Sequence, residues 1–197
     1  MHVHAAPLEP EEIVTIGGLA VTSVARTLVD LARAVPFEQA VVVADAALHR
    51  HLVGPQALAT VLEHRARWPG LPAARRALAF ADARSESVGE SRSRVALAGA
   101  GLPAPVLQWE VRRPDGRFVA QVDFGWPALR TVGEFDGRVK YGLLVPPGAD
   151  AADVLYREKL REDALRAEDL GVVRWGWSDL DRFAPVAERL QHRFRGS

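Results

Sequence analysis

The chain has 197 residues, of which 48% are hydrophobic, and its 25 basic and 25 acidic side chains leave no net charge. This length suits one large or two small domains with a packed core. A neutral chain has no global basic field, so any contact with nucleic acid must be local. Because the sequence has no cysteine, it can form no disulfide, thiolate metal site or cysteine nucleophile.

The apolar segments of the sequence show no targeting pattern. The N-terminus lacks the basic and then apolar stretches of a signal peptide. No apolar run reaches the roughly 18 residues of a membrane span. We therefore expect a cytoplasmic protein that makes no membrane contact.

The first part of the chain predicts a small helical domain over residues 1–84. A short strand-like piece at residues 12–16 ends at Gly17-Gly18, and four short helices then begin at capping or proline positions. These starts lie near Thr22, Pro36, Pro55 and Pro72. The segment shows no constellation of catalytic residue types.

Arginines outnumber acids between residues 64 and 94. This charge predicts either a stripe that meets phosphate groups or an ordinary solvated helix face. The arginines are Arg65, Arg67, Arg75, Arg76, Arg84, Arg92 and Arg94. The sequence favours neither interpretation over the other.

Residues 85–197 predict a second domain, which begins with a helix. Ser87 and Glu90 have the spacing of a capping box, and a capping box marks a helix start. Glu90 can also supply a carboxylate from the helix that precedes a sheet, and the two roles are compatible.

Three antiparallel strands are predicted after this helix, at residues 107–112, 118–124 and 130–136. Alternating apolar and polar residues mark the strands. Residues 113–116 join the first two strands, and their Asp-Gly pair is the strongest short hairpin signal. A loop near Ala128 joins the second strand to the third.

The strand pairing assigns side chains to two faces of the sheet. It places Glu110 opposite Gln121 and Asp123 opposite Glu134. The predicted core face consists of Trp109, Val111, Phe118, Ala120, Val122, Phe124 and Phe135. The other face carries Gln108, Glu110, Gln121, Asp123, Glu134 and Asp136.

The acids of the second face need a compensating charge. Like charges opposite each other on neighbouring strands destabilise a sheet by a few tenths to about 1 kcal/mol. A divalent ion held by Asp123, Glu134 and Asp136 would remove this cost, and magnesium, or manganese, suits a ligand set of oxygen atoms alone. The alternatives are a solvated acidic face and arginines that already neutralise the acids.

A long charged helix is predicted from residue 150 to about residue 169. Two pairs on it have the spacing of ordinary helix surface pairs. They are Glu158/Arg161 and Glu162/Arg166.

A fourth strand follows at residues 172–175, and a last helix begins near Ser178. The helical crossover favours parallel pairing of this strand with residues 131–136. We therefore expect an α+β protein, with a helical N-terminal domain at residues 1–84 and a sheet-containing domain at residues 85–197.

The order of the predicted elements in the second domain is a helix, three antiparallel strands, a helix and a strand, with carboxylates on the second and third strands. It resembles the restriction-endonuclease-like core of the PD-(D/E)xK nucleases. Three segments are more closely similar to an uncharacterised family related to the very short patch repair (Vsr) endonucleases. They are VDFGWP, VGEFDGRVKYG and EKLREDALRAEDLGVVRWGWSDL. Two earlier segments resemble actinobacterial proteins in which this domain follows a segment similar to the AbiEi-type antitoxins. They are GGLAVTSVARTLVDLAR and SESVGESRSR.

The resemblance implies a magnesium-dependent DNA endonuclease, acting in DNA repair, defence or a toxin–antitoxin system. By position, Asp123 and Glu134 would hold the metal ion, and Glu90 matches an acid that the first helix sometimes supplies. Asp136 stands where the family motif has a lysine. Lys140, or else Lys159, would then assist the attacking water. The expected catalytic residues are Asp123, Glu134, Asp136, Lys140 and Glu90.

Two other functions are open. Because Asp136 replaces the motif lysine, the domain can be a catalytically degenerate nuclease fold that binds nucleic acid or a protein partner, as an antitoxin-type regulator. It can also serve only in packing or in homodimer formation, for which Trp126 or Trp177 would provide exposed contacts.

Overall fold

The structure, a computed structural model, divides the chain into two units close to the boundary expected after residue 84. The units are residues 1–86 and 87–197. The structure describes residues 7–65, 67–137 and 151–196, and it describes their side chains except at residues 151–158.

In the described part of the first unit, a β-hairpin precedes the helices. The elements are β1 (Ile13–Ile16), β2 (Leu19–Thr22), α1 (Val24–Ala34), α2 (Phe37–His49), α3 (Pro55–His64) and α4 (Leu71–Phe80). Gly17 and Gly18 turn the hairpin with φ angles of 57° and 81°, which glycine adopts without steric cost. The four predicted helices are present, whereas β2 is a strand that the sequence did not predict.

Apolar side chains of all four helices form the core of the first unit. The buried members are Ala25, Leu28, Val29, Ala47, Leu48, Leu58, Val61 and Leu71. Ser23 caps α1, because its Oγ accepts a hydrogen bond from the Arg26 N–H at 3.3 Å.

A buried ion network ties the N-terminal turn to α1 and to the end of α3. The Glu12 carboxylate accepts hydrogen bonds from Arg26 Nη1 at 2.7 Å and from Arg65 Nη2 at 2.5 Å. The two guanidinium groups also lie 4.5 and 4.9 Å from the centroid of the Trp68 ring, at cation–π distance. Burial opposes ionisation of Glu12, but hydrogen bonds from Arg65, the Glu9 backbone and Arg26 outweigh it and lower the pKa of Glu12.

The arginines between residues 64 and 94, for which a phosphate-facing stripe and a solvated helix face were both considered, are not all exposed. Arg65 and Arg94 are buried, and Arg84 forms an ion pair with Asp82. Arg65 and Arg94 therefore cannot belong to an exposed basic stripe.

The second unit contains a mixed four-stranded sheet. Its elements are α5 (Val88–Gly99), β3 (Val106–Arg112), β4 (Phe118–Trp126), β5 (Thr131–Asp136), α6 (Ala151–Ala167), β6 (Gly171–Gly176), α7 (Trp177–Leu180) and α8 (Ala184–Arg195). The strand order is β3-β4-β5-β6; the first three strands are antiparallel, and β6 is parallel to β5. The predicted antiparallel strands and the parallel fourth strand are confirmed.

The strand register agrees with the prediction made from the hairpin turn. Glu110 lies opposite Gln121 in the β3–β4 pair. The β4–β5 register, continued by one residue, brings Asp123 beside Glu134. The sheet therefore places these two acids on neighbouring strands.

Two apolar clusters, instead of one predicted core face, stabilise the second unit. The first cluster contains Leu97, Leu102, Leu107, Phe124, Trp126, Val173, Trp175, Val186, Ala187 and Leu190. The second contains Val111, Ala120, Val122, Val132, Leu165 and Leu170. Phe118, which was expected in the core, is 56% exposed. Among the described residues, no helix is long and apolar enough to cross a lipid bilayer.

Replacement of Glu12 by glutamine should destabilise the first unit by about 3 kcal/mol, because two buried guanidinium groups lose their buried carboxylate partner and keep only the more exposed Asp30 and Glu9. Hydrogen exchange of the α1 amides measures this change. Because the pKa of Glu12 is lowered, its stabilisation is complete above the ordinary value of 4.5 and is lost as pH falls through the folded pKa.

The exposed neighbour Glu11 provides the matched control for this experiment. Glu11→Gln should leave the exchange rates of α1 unchanged. Equal effects of the two substitutions would contradict the role assigned to the Glu12 network.

Candidate functional site

An acidic cavity lies toward the carboxyl ends of the parallel strands β5 and β6. Its volume is about 220 Å³, and it is lined by Asp123, Glu134, Phe135, Asp136, Gly137, Arg161 and Arg174. In open sheets with parallel strands, ligands bind at this end of the strands. The cavity is therefore the candidate functional site of the second unit.

The structure brings three of the predicted site residues together. Asp123, Glu134 and Asp136 all line the acidic cavity. Lys140 lies outside the described residues, so its predicted role cannot be placed. Lys159 is exposed on α6.

The Glu134 carboxylate is held by two arginines. Arg161 Nη1 lies 2.5 Å from Oε1, and Arg174 Nε lies 2.9 Å from Oε2. Arg174 is the partner of Glu134 in the parallel β5–β6 register, whereas Arg161 reaches the sheet from α6 and also donates to the Gln121 carbonyl at 3.0 Å. The Glu134 side chain is only 8% exposed, so its charge is balanced inside the protein.

The arginines extend this ion network along α6. Arg174 Nη1 lies 3.0 Å from Glu162 Oε2, and Glu162 forms the predicted pair with Arg166. Arg161 was expected to be an ordinary surface residue of the helix. Its bonds to Glu134 and to the sheet backbone correct that expectation.

Asp123 is a carboxyl group whose pKa lies near neutrality. Burial raises the pKa of Asp123 from 3.8 to about 6; the Phe135 N–H, which donates to Oδ2 at 2.8 Å, opposes the shift. The charges of Glu90 and Glu134 add to the rise, and Arg161 counteracts them. Near neutral pH this group can therefore accept or release a proton.

Glu90 performs the structural role predicted for it and also acts on the site. Ser87 Oγ donates to Glu90 Oε1 at 2.7 Å and accepts from the Glu90 N–H at 3.2 Å, which caps α5. Gln108 Nε2 donates to Glu90 Oε2 at 2.9 Å. The Glu90 charge then contributes to the raised pKa of Asp123.

Close packing of α5 on β5 holds Glu90 near the acidic cavity. A Cβ atom added at Gly89 would lie 1.9 Å from the Phe135 ring. Only glycine therefore allows this approach of the first turn of α5 to the strand.

The ligands expected for a magnesium ion do not fit it in this arrangement. Both carboxylate oxygens of Glu134 are bonded to guanidinium groups, which would also repel a divalent cation. Within residues 7–65, 67–137 and 151–196, no group of three or more histidine, aspartate or glutamate side chains is arranged to hold a metal ion. The positive charge beside the acids is thus supplied by Arg161 and Arg174.

The two tryptophans considered for homodimer contacts are both engaged within the unit. Trp126 is buried in the first apolar cluster, and its Nε1 donates to the Pro103 carbonyl at 2.8 Å. Trp177 Nε1 donates to the Gly137 carbonyl at 3.2 Å, and its ring contacts Phe135 edge to face.

Sequence reasoning missed the two arginines of the site for different reasons. Arg174 could have been found, because the predicted parallel pairing of the fourth strand places it next to Glu134. Arg161 had no comparable signal, since the face that a helix turns toward a sheet depends on how the helix docks.

Comparison with known proteins finds two similar chains. They are the uncharacterised proteins MT2308 and Rv2248 of Mycobacterium tuberculosis, from strains CDC 1551 / Oshkosh and H37Rv. Each is 33% identical to this chain over 121 residues, which is 61% of this chain and 44% of the relative. The matched part thus spans less than half the length of these relatives. No protein-family model and no solved structure matches the chain.

Replacement of Asp123 by asparagine should stabilise the second unit at about pH 8, by about 1 to 3 kcal/mol. The folded state holds the Asp123 proton more tightly than the unfolded state, because the pKa is raised from 3.8 to about 6. The free energy of unfolding therefore falls as pH rises from about 3.8 to about 6. Asparagine carries no ionisable proton, so the variant avoids this loss of stability. Urea unfolding followed by tryptophan fluorescence measures it, since four of the five tryptophans lie in this unit.

The control for this experiment is Asp115, whose pKa is shifted in the opposite direction. Hydrogen bonds from the Arg117 backbone and side chain lower the pKa of Asp115. Asp115→Asn should therefore not stabilise the protein at high pH. A destabilising effect of Asp123→Asn at about pH 8 would contradict the electrostatic description of the site.

Proposed function

We propose that residues 87–197 form a nuclease-like domain that binds nucleic acid without cleaving it, within a regulatory protein of the antitoxin type. Double-stranded DNA is the expected partner, and the protein then acts in the cytoplasm. The magnesium-dependent endonuclease implied by the sequence resemblance is the second candidate.

The observation that carries this proposal is the pairing of Glu134 with Arg161 and Arg174. In a metal-dependent nuclease this carboxylate would bind the ion. Here its two oxygens accept hydrogen bonds from guanidinium groups at 2.5 and 2.9 Å. Breaking such a buried pair is costly, so the arrangement favours a structural carboxylate over a metal ligand.

The residue at position 136 supports the same proposal. Asp136 lines the acidic cavity where the resemblance calls for a lysine beside the attacking water. An acid at this position adds negative charge and cannot stabilise the charge that develops on a phosphate during hydrolysis. The acid at position 136 therefore favours a domain that keeps the nuclease-like fold but does not hydrolyse phosphodiesters.

Binding to a labelled duplex of about 20 base pairs, measured by fluorescence anisotropy in EDTA, tests the proposal. The wild-type protein should bind with a dissociation constant of about 1 to 100 μM near physiological salt, the range of non-specific DNA contacts. Asp123→Asn and Glu134→Gln should bind equally well if they remain folded. A binding signal that requires magnesium and disappears in Asp123→Asn would contradict it.

The second candidate is favoured by the pKa of Asp123, which is raised to about 6 in a cavity that other acids share. Perturbed carboxyl groups of this kind cluster at catalytic sites. In a phosphodiester hydrolase, Asp123 would hold or transfer a proton at its carboxylate.

Incubation with supercoiled plasmid and single-stranded DNA, in magnesium and separately in manganese, separates the two candidates. We expect no cleavage products from the wild-type protein beyond those of Asp123→Asn. Cleavage by the wild type that Asp123→Asn abolishes would establish the endonuclease and overturn the binding-only function.

A further inference from the structure

The β1–β2 hairpin of the first unit exposes apolar side chains on one of its faces. Val14 lies opposite Val21, and Ile16 lies opposite Leu19. Directly opposed and alternate residues of a hairpin share a face, so these four side chains lie together. They are between 38% and 70% exposed, and Ile16 and Leu19 beside the turn are exposed most. They are called the hairpin face below.

The hairpin lacks the features that protect such a face in water. Within the described residues, β1 and β2 form a sheet of two strands. A two-stranded hairpin is marginally stable unless a third strand joins it or another element covers its apolar face. Residues 13–22 contain no charged residue and no proline, which are the residues that usually stop a strand from pairing with another chain. The hairpin face therefore indicates a contact with a further protein surface.

A second apolar surface of the same unit is an open cavity between α1 and α2. Its volume is about 290 Å³. Four of the aliphatic side chains that line it are 38% to 58% exposed, namely Val24, Leu31, Val43 and Leu52. A cavity of about 150 Å³ holds a benzene molecule, so this one has room for about two aliphatic side chains. It is called the α1–α2 groove below.

The hairpin face does not fill the groove of its own chain. Thr22, at the end of β2, lines the groove, and its Oγ1 is hydrogen-bonded to Thr27 Oγ1 on α1 at 2.8 Å. Because Thr22 follows Val21 in the strand, its side chain lies on the opposite face of the hairpin. The Ser23 N–H, which donates to the Glu12 carbonyl at 2.7 Å, fixes the base of the hairpin. The hairpin face thus points away from the groove of the same chain.

The area of the two surfaces favours a second copy of this chain as the occupant of the groove. If the hairpin face of each copy packs into the groove of the other, the eight exposed aliphatic side chains of both copies are covered. Such a contact buries roughly 1,000 Å², the smallest area of a specific interface. Two hairpin faces packed on each other would bury only about half of that area. Among the residues that line the groove, Arg50 is charged, and the uncharged hairpin brings no second cation to it.

We propose that the chain forms a two-fold symmetric dimer, in which Ile16 and Leu19 of each copy insert into the α1–α2 groove of the other. These are the two most exposed side chains of the hairpin face, and the groove has room for about two. A reciprocal contact of this kind closes on itself, so it forms a dimer and not a filament. The inference concerns the first unit and does not depend on the function proposed for residues 87–197.

Sedimentation equilibrium of the full chain, at concentrations from about 1 to 100 μM, tests the dimer. At the highest concentration the wild type should be mostly dimeric, with twice the monomer mass of 21.5 kDa. Ile16→Thr/Leu19→Thr should raise the dissociation constant at least about 100-fold, because each dimer loses four buried aliphatic side chains. Threonine keeps the strand propensity of the hairpin, so this hairpin variant retains its fold.

The matched control is Ile13→Thr/Val106→Thr. Both positions are in strands and are 41% and 42% exposed. Ile13 lies on the other face of the hairpin, and Val106 belongs to β3 of the second unit. The control should change the dissociation constant by no more than about twofold, as is usual for surface substitutions. Equal weakening by the control and the hairpin variant, or a wild type that stays monomeric at about 100 μM, would overturn the inference.

A groove variant tests the reciprocal arrangement. Val43→Lys places a charge in the α1–α2 groove and should weaken the dimer as strongly as the hairpin variant does. Dimer formation by Val43→Lys at the wild-type affinity would indicate that two hairpin faces pack on each other, and it would overturn the contact with the groove.

An equimolar mixture of Val43→Lys and the hairpin variant separates loss of contact from loss of folding. A mixed dimer has one intact contact, because the hairpin of the first variant meets the groove of the second. Both substitutions then fall in the other contact, which is lost only once. The mixture should therefore associate at least about tenfold more tightly than either variant alone. Unfolded variants could not restore each other in this way, and a mixture without this gain would overturn the proposed dimer.

Discussion

The charge of Glu134 is the constraint on which the second unit depends. Removing a carboxylate from water costs several kcal/mol, and close partners must offset this loss. Arg174 does so from the neighbouring strand, and Arg161 does so from α6. Because the partners come from separate elements, one buried carboxylate fixes both the pairing of β6 with β5 and the position of α6 on the sheet. Burial raises the pKa of the neighbouring Asp123, and the Arg161 charge opposes this rise.

The two ends of the β5–β6 strand pair are lined by different charged side chains. Asp123, Glu134, Asp136, Arg161 and Arg174 line the cavity toward the carboxyl ends of β5 and β6, whereas Arg130, Asp169 and Arg193 line the cavity at their other end.

Local sequence patterns predicted much of the fold. The ion pairs of the candidate site depend on contacts between residues far apart in the sequence, which those patterns do not give. The Asp-Gly turn and alternating side chains predicted the register that places Glu110 opposite Gln121. The crossover rule predicted the parallel fourth strand. The sequence also indicated that the acids would need positive charge, but it could not show that Arg161, on a helix 27 positions later, supplies it. Periodicity alone also failed at Phe118, which is exposed at the end of β4 where the β3–β4 register shifts between Val111 and Arg112.

Manganese binding to the unliganded wild-type protein, followed by electron paramagnetic resonance, tests most directly whether arginines have replaced a metal ion beside Glu134. If they have, the titration should show no ion bound beyond the amount bound by Asp123→Asn. One ion bound per chain, with an affinity that falls about tenfold or more in Asp123→Asn, as for a lost site residue, would be the contrary result. It would contradict the claim that Arg161 and Arg174 neutralise Glu134 in place of a metal ion.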